Sequence, residues 1–485
     1  MLKNLAIIAA LALAPIALSA QETLESAVHT AVQNNNGIKS YQKALESKQE
    51  AVSSSWGRFA PTITLDASYT HLDDKLSIDL APLRTAIIQL QVSDQVNMAN
   101  LKSLTLTGQP LSAEAIAAAQ QQAFGQLDAA LPPFVATLKK QNFPAASITV
   151  KQPIFTGGKI LAGVDAAKAQ RDMAEVKLAS ESETIISDVV SYYMSVLLAE
   201  ENVKVRTDLY NGVKKHQELA EKCLLQGLIA QNDKLRADVA MSEAERNLNE
   251  ANEKLQIAKS ALASVLDINE SEMQNPTETL AYHESHIDLN SFINEAKSSN
   301  CNIKQLGSAV KALNAKADAQ CADYYPTIYG FGKYNAFQDY LSALDPKWAI
   351  GIGLQYELFN GFKRTNDYQA AKADAQSVEY MAKDAERKIE LLCRTQYMSM
   401  NLAKDMFLKL ETTAEQAKEN VRLNSRRFET GLGTSLEALD AELTLEGVLL
   451  KRVAALSEYY KYMSALYNTA GKTDEFVKFW TESNQ

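Results

Sequence analysis

The chain has 485 residues and a formal net charge of −10. Its basic residues are spread along the sequence without a concentrated patch, which argues against nucleic-acid binding. The five His and four Cys residues show neither a ligand pair nor metal-type spacing. No phosphate-binding loop or catalytic triad is visible, so we expect no metal site, no cofactor and no catalysis.

Residues 1–20 are typical of a secretory signal peptide. Lys3 supplies the positive region, Leu5–Leu18 is an apolar run, and the small residues up to Ala20 suit cleavage. The run is shorter than a spanning helix requires, although an uncleaved anchor is the alternative interpretation. We expect the mature chain to begin near Gln21 in an exported compartment, without a transmembrane helix.

The first predicted strand covers Thr62–Thr70, where apolar and polar residues alternate. A second segment with the same period lies at 147–154. Between them, residues 72–146 form a long connection, and its part 80–122 is rich in Ala and Gln, which favours partly helical structure. We expect this connection to have a structure of its own.

Long helices account for most of the mass. From Lys159 to about Lys222 there is no Pro, and such a helix would span about 95 Å. It is expected to end at Gly227, because glycine adopts the left-handed conformation that stops a helix. A returning helix then runs from Asn232 to about Leu266. The pair is an antiparallel hairpin that needs a neighbour of similar length to bury its apolar face.

The second half of the chain repeats the first. An offset of 204 residues aligns the long hairpin with a second one, and an offset of 265 aligns the preceding helix and strand. The difference is an insertion of 61 residues in the first copy. The predicted repeats are 21–270 and 271–485, each reading helix, strand, loop, strand, long helix, turn and helix. The second hairpin runs from about Lys363 to Glu429, turns at Gly431, and returns from Thr434 to about Ala470.

The second copy also supplies two predicted strands, near 327–337 and 348–358. The former is ambiguous, because aromatic residues occupy one parity while Ile328 and two glycines occupy the other. A soluble four-stranded sheet with one buried face is one interpretation. Membrane strands, which measure about ten residues, are the other. Four strands cannot close a barrel, so several chains would then share one, and three chains would supply twelve strands.

The cysteines are predicted to be buried free thiols. Cys301 and Cys321 fall on one predicted helix, about 30 Å apart, which is too far for a disulfide. Cys223 and Cys393 have no partner at a recognisable spacing, so a disulfide framework is the less favoured alternative.

Together, these features resemble the TolC family of outer-membrane efflux and secretion channels, over essentially the whole mature chain. The resemblance rests on four features: the duplication, the Phe-x-Gly-x-Lys junctions at Phe155–Lys159 and Phe359–Lys363, the Pro-Thr entries at Pro61 and Pro326, and the hairpin tips. It implies a mixed α and β fold in which duplicated long-helix hairpins form a trimeric α-barrel. That barrel would continue into a 12-stranded transmembrane β-barrel with four strands from each chain.

The resemblance also implies the setting of the remaining segments. An equatorial belt would involve residues near 22–37, 270–300 and the C-terminus, and the insertion would be an enlarged extracellular loop. The expected location is the bacterial outer membrane, in contact with its lipid. The expected partners are two further copies of the chain, a periplasmic adaptor protein and an inner-membrane transporter of the RND, ABC or MFS type.

Two acidic residues are candidates for a ring at the periplasmic entrance. The family carries acids on the second returning helix, and on this sequence they fall at Glu437 and Asp440. Three residues apart on a helix, they share one face, and three copies would place six carboxylates around the opening. Such a ring attracts cations and serves as a selectivity gate. The alternative is an ordinary solvated helix face.

The family latch that closes the entrance is incomplete here. Its acidic partner is present as Asp233, but the tyrosine position is Phe428 and the arginine position is Gly433. Phe has no hydroxyl group and Gly has no side-chain donor. We therefore expect closure by packing, or by other polar pairs involving Arg236 or Arg427.

The hairpin tips are the predicted docking site for the adaptor. Gly227 and Gly431 would let a partner helix approach closely, while Leu228 and Leu432 would supply apolar contact. A chain-reversal turn without a partner is the alternative.

The sequence favours an exit channel of a tripartite efflux pump or type I secretion system, a passive conduit for small molecules or secreted polypeptides. A periplasmic coiled-coil adaptor or structural protein without a pore is the alternative, although an adaptor has one hairpin where this chain has two. An enzyme is the third class and lacks a visible constellation of polar residues. The cargo is not specified by the sequence.

Overall fold

A computed structural model of the protein describes residues 23–273, 275–337 and 346–484. The predicted signal peptide at 1–20 lies outside the described residues. The chain divides into two compact units. The helical unit comprises Met1–Ser55, Leu161–Gln320 and Thr365–Gln485, and the sheet unit comprises Trp56–Ile160 and Cys321–Arg364.

The helices and strands follow one another in an order that repeats. In chain order they are α1 (Leu24–Asn34), α2 (Asn36–Gly57), β1 (Thr62–His71), β2 (Leu76–Asp79), α3 (Ala81–Thr107), α4 (Ala113–Ala130), β3 (Val135–Lys139), β4 (Asn142–Phe155), α5 (Lys159–Leu225), α6 (Gln231–Leu266), a 3₁₀ turn (Glu270–Glu272), α7 (Leu289–Ser299), α8 (Cys301–Ala322), β5 (Thr327–Asn335), β6 (Trp348–Gln355), α9 (Lys363–Glu429), α10 (Ser435–Thr469) and α11 (Thr473–Asn484).

Corresponding helices of the two predicted repeats have equal lengths. Helices α5 and α9 each have 67 residues, α2 and α8 each have 22, and α1 and α7 each have 11. The returning helices α6 and α10 differ by a single residue, with 36 and 35. No described helix combines the length and hydropathy needed to cross a membrane.

Each long helix ends in the same backbone motif. Gly227 and Gly431 have φ values of 72° and 74°, in the left-handed region that favours glycine. In both copies the residue after the glycine donates its amide to a carbonyl oxygen near the end of the long helix. The Leu228 amide donates to the Cys223 carbonyl at 2.9 Å, and the Leu432 amide donates to the Arg427 carbonyl at 2.8 Å. This is the Schellman pattern, which satisfies carbonyl groups left open at a helix end.

The main core of the helical unit joins both hairpins to the chain ends. Its fully buried side chains come from α1, α5, α6, α10 and α11: Leu24, Tyr193, Leu197, Leu262, Leu266, Tyr459, Tyr460, Met463, Phe476 and Trp480. The Trp480 indole donates to Glu278 Oε2 at 2.8 Å, and the Tyr460 hydroxyl donates to the Ala281 carbonyl at 2.7 Å. The segments assigned to a belt by the family resemblance therefore pack together.

The sheet has strand order β1-β4-β5-β6, with every neighbouring pair antiparallel. Directly paired residues point to the same side, so the register assigns the faces. One face is mainly apolar and includes Ile63, Leu65, Ala67, Tyr69, Pro144, Ala146, Ile148, Val150, Ile328, Gly330, Gly332, Tyr334, Trp348, Ile350, Ile352 and Leu354, with Gln152 opposite Gly330 as a polar member. Its large side chains are exposed within the single chain, Ile350 at 80% and Ile352 at 76%.

The structure resolves the ambiguous parity of β5. Tyr329 and Phe331 lie on the polar face, beside threonines and Lys151, while the glycines of β5 lie on the apolar face. A Cβ at Gly353 would stand 2.5 Å from the Tyr329 ring, and one at Gly351 would stand 2.7 Å from the Phe331 ring. The glycines of β6 thus make room for the two aromatic rings.

The insertion folds as a ribbon that ends in a helical hairpin. Strands β2 and β3 pair with each other in a separate two-stranded sheet beyond the outer end of β1 and β4. Helices α3 and α4 pack through Ile88, Val92, Val96 and Ala123. The Arg84 guanidinium binds Asp128 Oδ1 at 2.6 Å. The predicted helical content of 80–122 is confirmed. Strand β4 begins at Asn142, earlier than the predicted 147, because residues 142–146 also pair with β1.

All four cysteines are free, as predicted, and Cys301 and Cys321 lie at the two ends of α8. The expectation that they are buried is correct only for Cys393, whereas the other three are partly exposed.

Candidate functional site: the hairpin tips

The two hairpin tips present leucine side chains to solvent. Leu228 is 69% exposed and Leu432 is 76% exposed. The left-handed glycines before them have open space where a Cβ would stand. A bulky partner can therefore approach the turns. The main reason for glycine at 227 and 431 is the left-handed backbone conformation, which other residues rarely adopt.

Helix α5 of the first hairpin packs along α10 of the second. The Arg206 guanidinium forms an ion pair with Glu446, whose side chain is almost fully buried. One helical turn along α10, the Glu442 carboxylate lies against Gly212, where a Cβ would meet it at 3.0 Å. Burial raises the pKa of both carboxyl groups. These contacts hold the hairpins side by side within one chain.

Closer to the tips, His216 is a buried polar residue in the contact between α5 and α10. One of its ring nitrogens lies 2.8 Å from the Ser435 hydroxyl, in a buried hydrogen bond. Its ring packs on Phe428, with centroids 4.7 Å apart. Burial lowers the pKa of His216 to about 4, because the charged imidazolium would lose its hydration. The histidine is therefore neutral at physiological pH.

Phe428 contributes packing where the family uses a hydroxyl. Its side chain is 5% exposed and lies between its own hairpin and His216 of the first hairpin. Phe428 thus packs between the two hairpins of one chain, and closure of the entrance by packing stays a prediction. Asp233 lies in the first turn of α6 and is partly exposed.

Arg427 does not bridge the two hairpins within the chain. Its guanidinium donates to the Leu432 carbonyl at 3.3 Å and lies 3.8 Å from Glu437 Oε2. Both partners belong to the second hairpin: Leu432 lies in the turn and Glu437 in the first turn of α10. Within the chain, Arg427 therefore stabilises the second tip, and its part in closing the entrance stays a prediction.

Glu437 caps a helix. The Thr434 amide donates to its carboxylate at 3.0 Å, while the Glu437 amide donates to the Thr434 hydroxyl at 3.2 Å. This reciprocal pair is a capping box, and the backbone donor lowers the pKa of Glu437. The Thr-x-x-Glu spacing before an apolar run is a sequence signal for this capping role.

Asp440 lies on an open groove between α6 and α10. The groove has a volume of about 390 Å³ and is lined by Leu235, Arg236, Val239, Ala240, Glu243, Leu436, Leu439, Asp440 and Leu443. Leu235, Val239 and Leu436 are each more than half exposed. The structure thus brings two predicted entrance residues, Arg236 and Asp440, to one apolar groove, while Glu437 points back to its own helix end.

Sequence reasoning missed Arg206, His216 and Glu446. The spacing of the five histidines speaks only against a pair of metal ligands. His216 nevertheless continues the helical stripe of Leu209 and Val213, which is buried against the second hairpin. A histidine at such a position indicates a buried hydrogen bond. Within the described part of the chain, no group of three or more His, Cys, Asp or Glu residues is placed to hold a metal ion.

Comparison with known proteins points to one family. The family described as outer membrane efflux protein matches residues 27–267 and 292–472. The cobalt-zinc-cadmium resistance protein CzcC of Cupriavidus metallidurans is 24% identical over 330 residues, which cover 66% of this chain and 75% of that protein.

Solved structures share the fold at low identity. The outer membrane protein VceC of Vibrio cholerae superposes with a TM-score of 0.70 at 16% identity, over 92% of this chain and 96% of VceC. The CmeC outer membrane channel of Campylobacter jejuni gives a TM-score of 0.69 at 14% identity, over 96% of this chain and 90% of CmeC. These likenesses confirm the predicted fold of long helical hairpins joined to β-strands, whereas the trimer stays a prediction.

Proposed function

Because the chain belongs to the outer membrane efflux protein family, we propose that three copies form one exit duct whose substrates are driven from the inner membrane. The family is one of outer-membrane channels, which places the protein in the outer membrane and favours a channel over an adaptor without a pore. The observation that carries the proposal is the sheet, with its exposed apolar face and two edges.

The two sheet edges support the trimer. In the described part of the chain, β1 and β6 each pair with one neighbour only. An open edge leaves backbone amides and carbonyls unsatisfied in lipid, at a cost of several kcal/mol for each group. Pairing β1 of one copy with β6 of the next closes the sheet, and three copies give twelve strands. The apolar face then contacts lipid and the polar face lines the lumen.

The helical hairpins connect the duct to its partners. The exposed leucines at Leu228 and Leu432 dock a periplasmic adaptor, which links the duct to an inner-membrane transporter of the RND, ABC or MFS type. That transporter supplies the energy, and the chain itself performs no chemistry. Small solutes are the favoured cargo, since the relative CzcC is named for resistance to metal ions.

Asp440 is the main carboxylate of the entrance ring, with Glu437 in second place. Both belong to α10, but the Glu437 carboxylate already accepts a backbone hydrogen bond. Asp440 is exposed on the groove beside Arg236. Three copies of Asp440 concentrate cations at the entrance and bind divalent ions from the periplasmic side.

The test is planar-bilayer conductance of the purified trimer, with and without Mg²⁺ on the side of the hairpin tips. We expect discrete channels that Mg²⁺ blocks, about tenfold weaker block in Asp440→Asn, and a smaller change in Glu437→Gln. Asp405→Asn is the control, because it removes the same charge from an exposed position in the middle of α9. If Mg²⁺ blocks Asp440→Asn as strongly as the wild type, the proposed ring is wrong. If a verified trimer never conducts, even after both tips are altered, the proposed duct is wrong.

A further inference from the structure

The two repeats pair their strands in the same register. In the first repeat, β1 pairs with β4 and Thr62 lies opposite Lys151; in the second, β5 pairs with β6 and Thr327 lies opposite Gln355. Adding 265 to the β1 position and 204 to the β4 position, the two offsets of the duplication, converts the former pair into the latter. All eight pairs between β5 and β6 follow from β1 and β4 in this way. The duplication therefore preserves strand register as well as helix length.

The contact between β4 and β5 joins the two repeats. In the described chain, β4 is the last strand of the first repeat and β5 is the first strand of the second. In this contact Val150 lies opposite Gly332. In the proposed trimer, β6 of one copy meets β1 of the next, so the last strand of one repeat again meets the first strand of the repeat that follows. The β4–β5 contact is therefore a guide to the contact between copies.

We propose that β6 pairs with β1 of the next copy in the register that the two offsets give. Adding 204 to position 150 and subtracting 265 from position 332 places Leu354 opposite Ala67 of the next copy. The closed sheet then consists of one two-stranded unit repeated twice in each copy, with the same register at every contact. This inference rests on the proposed trimer.

The proposed register keeps both faces of the sheet continuous across the contact between copies. Leu354 and Ala67 lie on the apolar face, as do Ile352 and Tyr69, which form the next pair on that face. A shift by one residue would turn the apolar side chains of one strand to the polar face of the other. A shift by two residues preserves the faces, so their continuity excludes only the odd shifts.

Side chains of the polar face distinguish the proposed register from the shifts by two residues. In the proposed register Gln355 lies opposite Asp66 of the next copy, and its amide can donate a hydrogen bond to the carboxylate. A shift in one direction brings Glu357, just past the end of β6, opposite Asp66, and like charges directly opposite each other are destabilising. A shift in the other direction brings Gly353 there, which has no side-chain donor.

The ion pair that accompanies the β4–β5 contact is not repeated between copies. Lys159 binds Asp323 at 2.7 Å, and the two offsets convert this pair to Lys363 and Arg58, which are both cationic. Lys159 and Asp323 are each about half exposed, and an exposed ion pair contributes little to stability. An unpaired strand edge in lipid is far more costly. The strands therefore set the register, while the exposed side chains of Lys363 and Arg58 turn apart into water.

Pairs of cysteines in the full-length protein, purified in detergent, test the register. The double variant Leu354→Cys/Ala67→Cys places two thiols directly opposite each other, with Cα atoms about 4.5–5.5 Å apart, which a disulfide spans. The matched controls Leu354→Cys/Leu65→Cys and Leu354→Cys/Tyr69→Cys move one thiol by two residues, to about 7–8 Å, which is beyond that span. Within one chain β1 and β6 are three strand spacings apart, about 14 Å, so a link joins two copies.

Under oxidation by copper phenanthroline in air, we expect about tenfold more linked dimer and trimer from Leu354→Cys/Ala67→Cys than from either control. Electrophoresis without reductant measures the linked species, and the unsubstituted protein with its four free cysteines gives the background. The variant Gln355→Cys/Asp66→Cys, with Gln355→Cys/Thr64→Cys as its control, repeats the test on the polar face. The result therefore does not depend on the folding of one variant.

Light scattering separates failure of the register from failure of the trimer. A trimer that links through a shifted pair has another register, which overturns this one and leaves the duct intact. A trimer in which no pair links above the background overturns the register as well. A monomer overturns both the register and the trimer.

Discussion

A few buried polar side chains decide how the two hairpins meet. His216 lies between Ser435 and Phe428, and its neutral ring satisfies the serine hydroxyl without carrying charge into the contact. The stripe of apolar residues on α5 could be predicted from helical spacing. Its partner could not, because periodicity shows which face is buried but not which helix covers it.

The depressed pKa of His216 makes stability depend on pH. Above pH 6.5, the ordinary pKa of histidine, the imidazole is neutral both folded and unfolded. As the pH falls from 6.5 to about 4, the unfolded chain takes up a proton that the folded chain excludes, so the folded state loses stability. His216→Gln keeps a hydrogen-bonding group and has no such proton, so we expect a smaller fall in thermal midpoint across this range.

The measurement is the midpoint at one heating rate, at several pH values, for the wild type, His216→Gln and the exposed control His286→Gln. The raised pKa values of Glu442 and Glu446 act in the opposite direction, but they are common to all three proteins and cancel in the comparison. Parallel curves for the wild type and His216→Gln would contradict the assignment.

At the scale of elements, the duplication made helix lengths predictable. The predicted and observed ends of α5 differ by three residues, Lys222 against Leu225. The face assignment of β5 was not predictable, because both of its parities carry apolar residues. It follows instead from the pairing of Phe331 with Gly351. The alternation of residues along one strand does not show which residue lies opposite on the next strand.

The two returning helices begin differently, although they are equivalent in the duplication. Thr434 caps α10 through the Glu437 amide, whereas Ala230 at the same position of α6 offers no side-chain oxygen. Ala230 already has the extended conformation of a cap residue, with φ −84° and ψ 158°. The first hairpin therefore has a helix end that a single hydroxyl could complete.

We expect Thr434→Ala to destabilise the start of α10 by about 1 kcal/mol and Ala230→Thr to stabilise the start of α6 by a similar amount. Hydrogen exchange of the first-turn amides of each helix measures both changes. The amides should exchange several-fold faster in the former variant and several-fold slower in the latter. Exchange that does not respond at the altered end would show that packing, not capping, orders these turns.

For the whole molecule, the sheet is the part whose described strands leave two edges, β1 and β6, unpaired within the chain. Its apolar face exposes Ile350 and Ile352, while its polar face holds Lys151 within 4.2 Å of the Tyr329 ring. The alternation of apolar and polar residues predicts strands, but it does not distinguish a membrane sheet from a soluble one. Membership in the family makes that distinction, and the register then assigns each side chain to a face.

This assignment predicts opposite outcomes for the same new charge on the two faces. Ile352→Lys places an ammonium group in lipid, which costs about 2–4 kcal/mol near the middle of the bilayer. Thr149→Lys places it on the polar face, next to Lys151 in the lumen, where water solvates it. We expect the heat-resistant trimer to be strongly reduced in the former variant and nearly unchanged in the latter, when both are refolded into lipid vesicles and separated by electrophoresis without boiling. If Thr149→Lys were the more damaging substitution, the faces would be reversed, and the lumen would be lined by isoleucines.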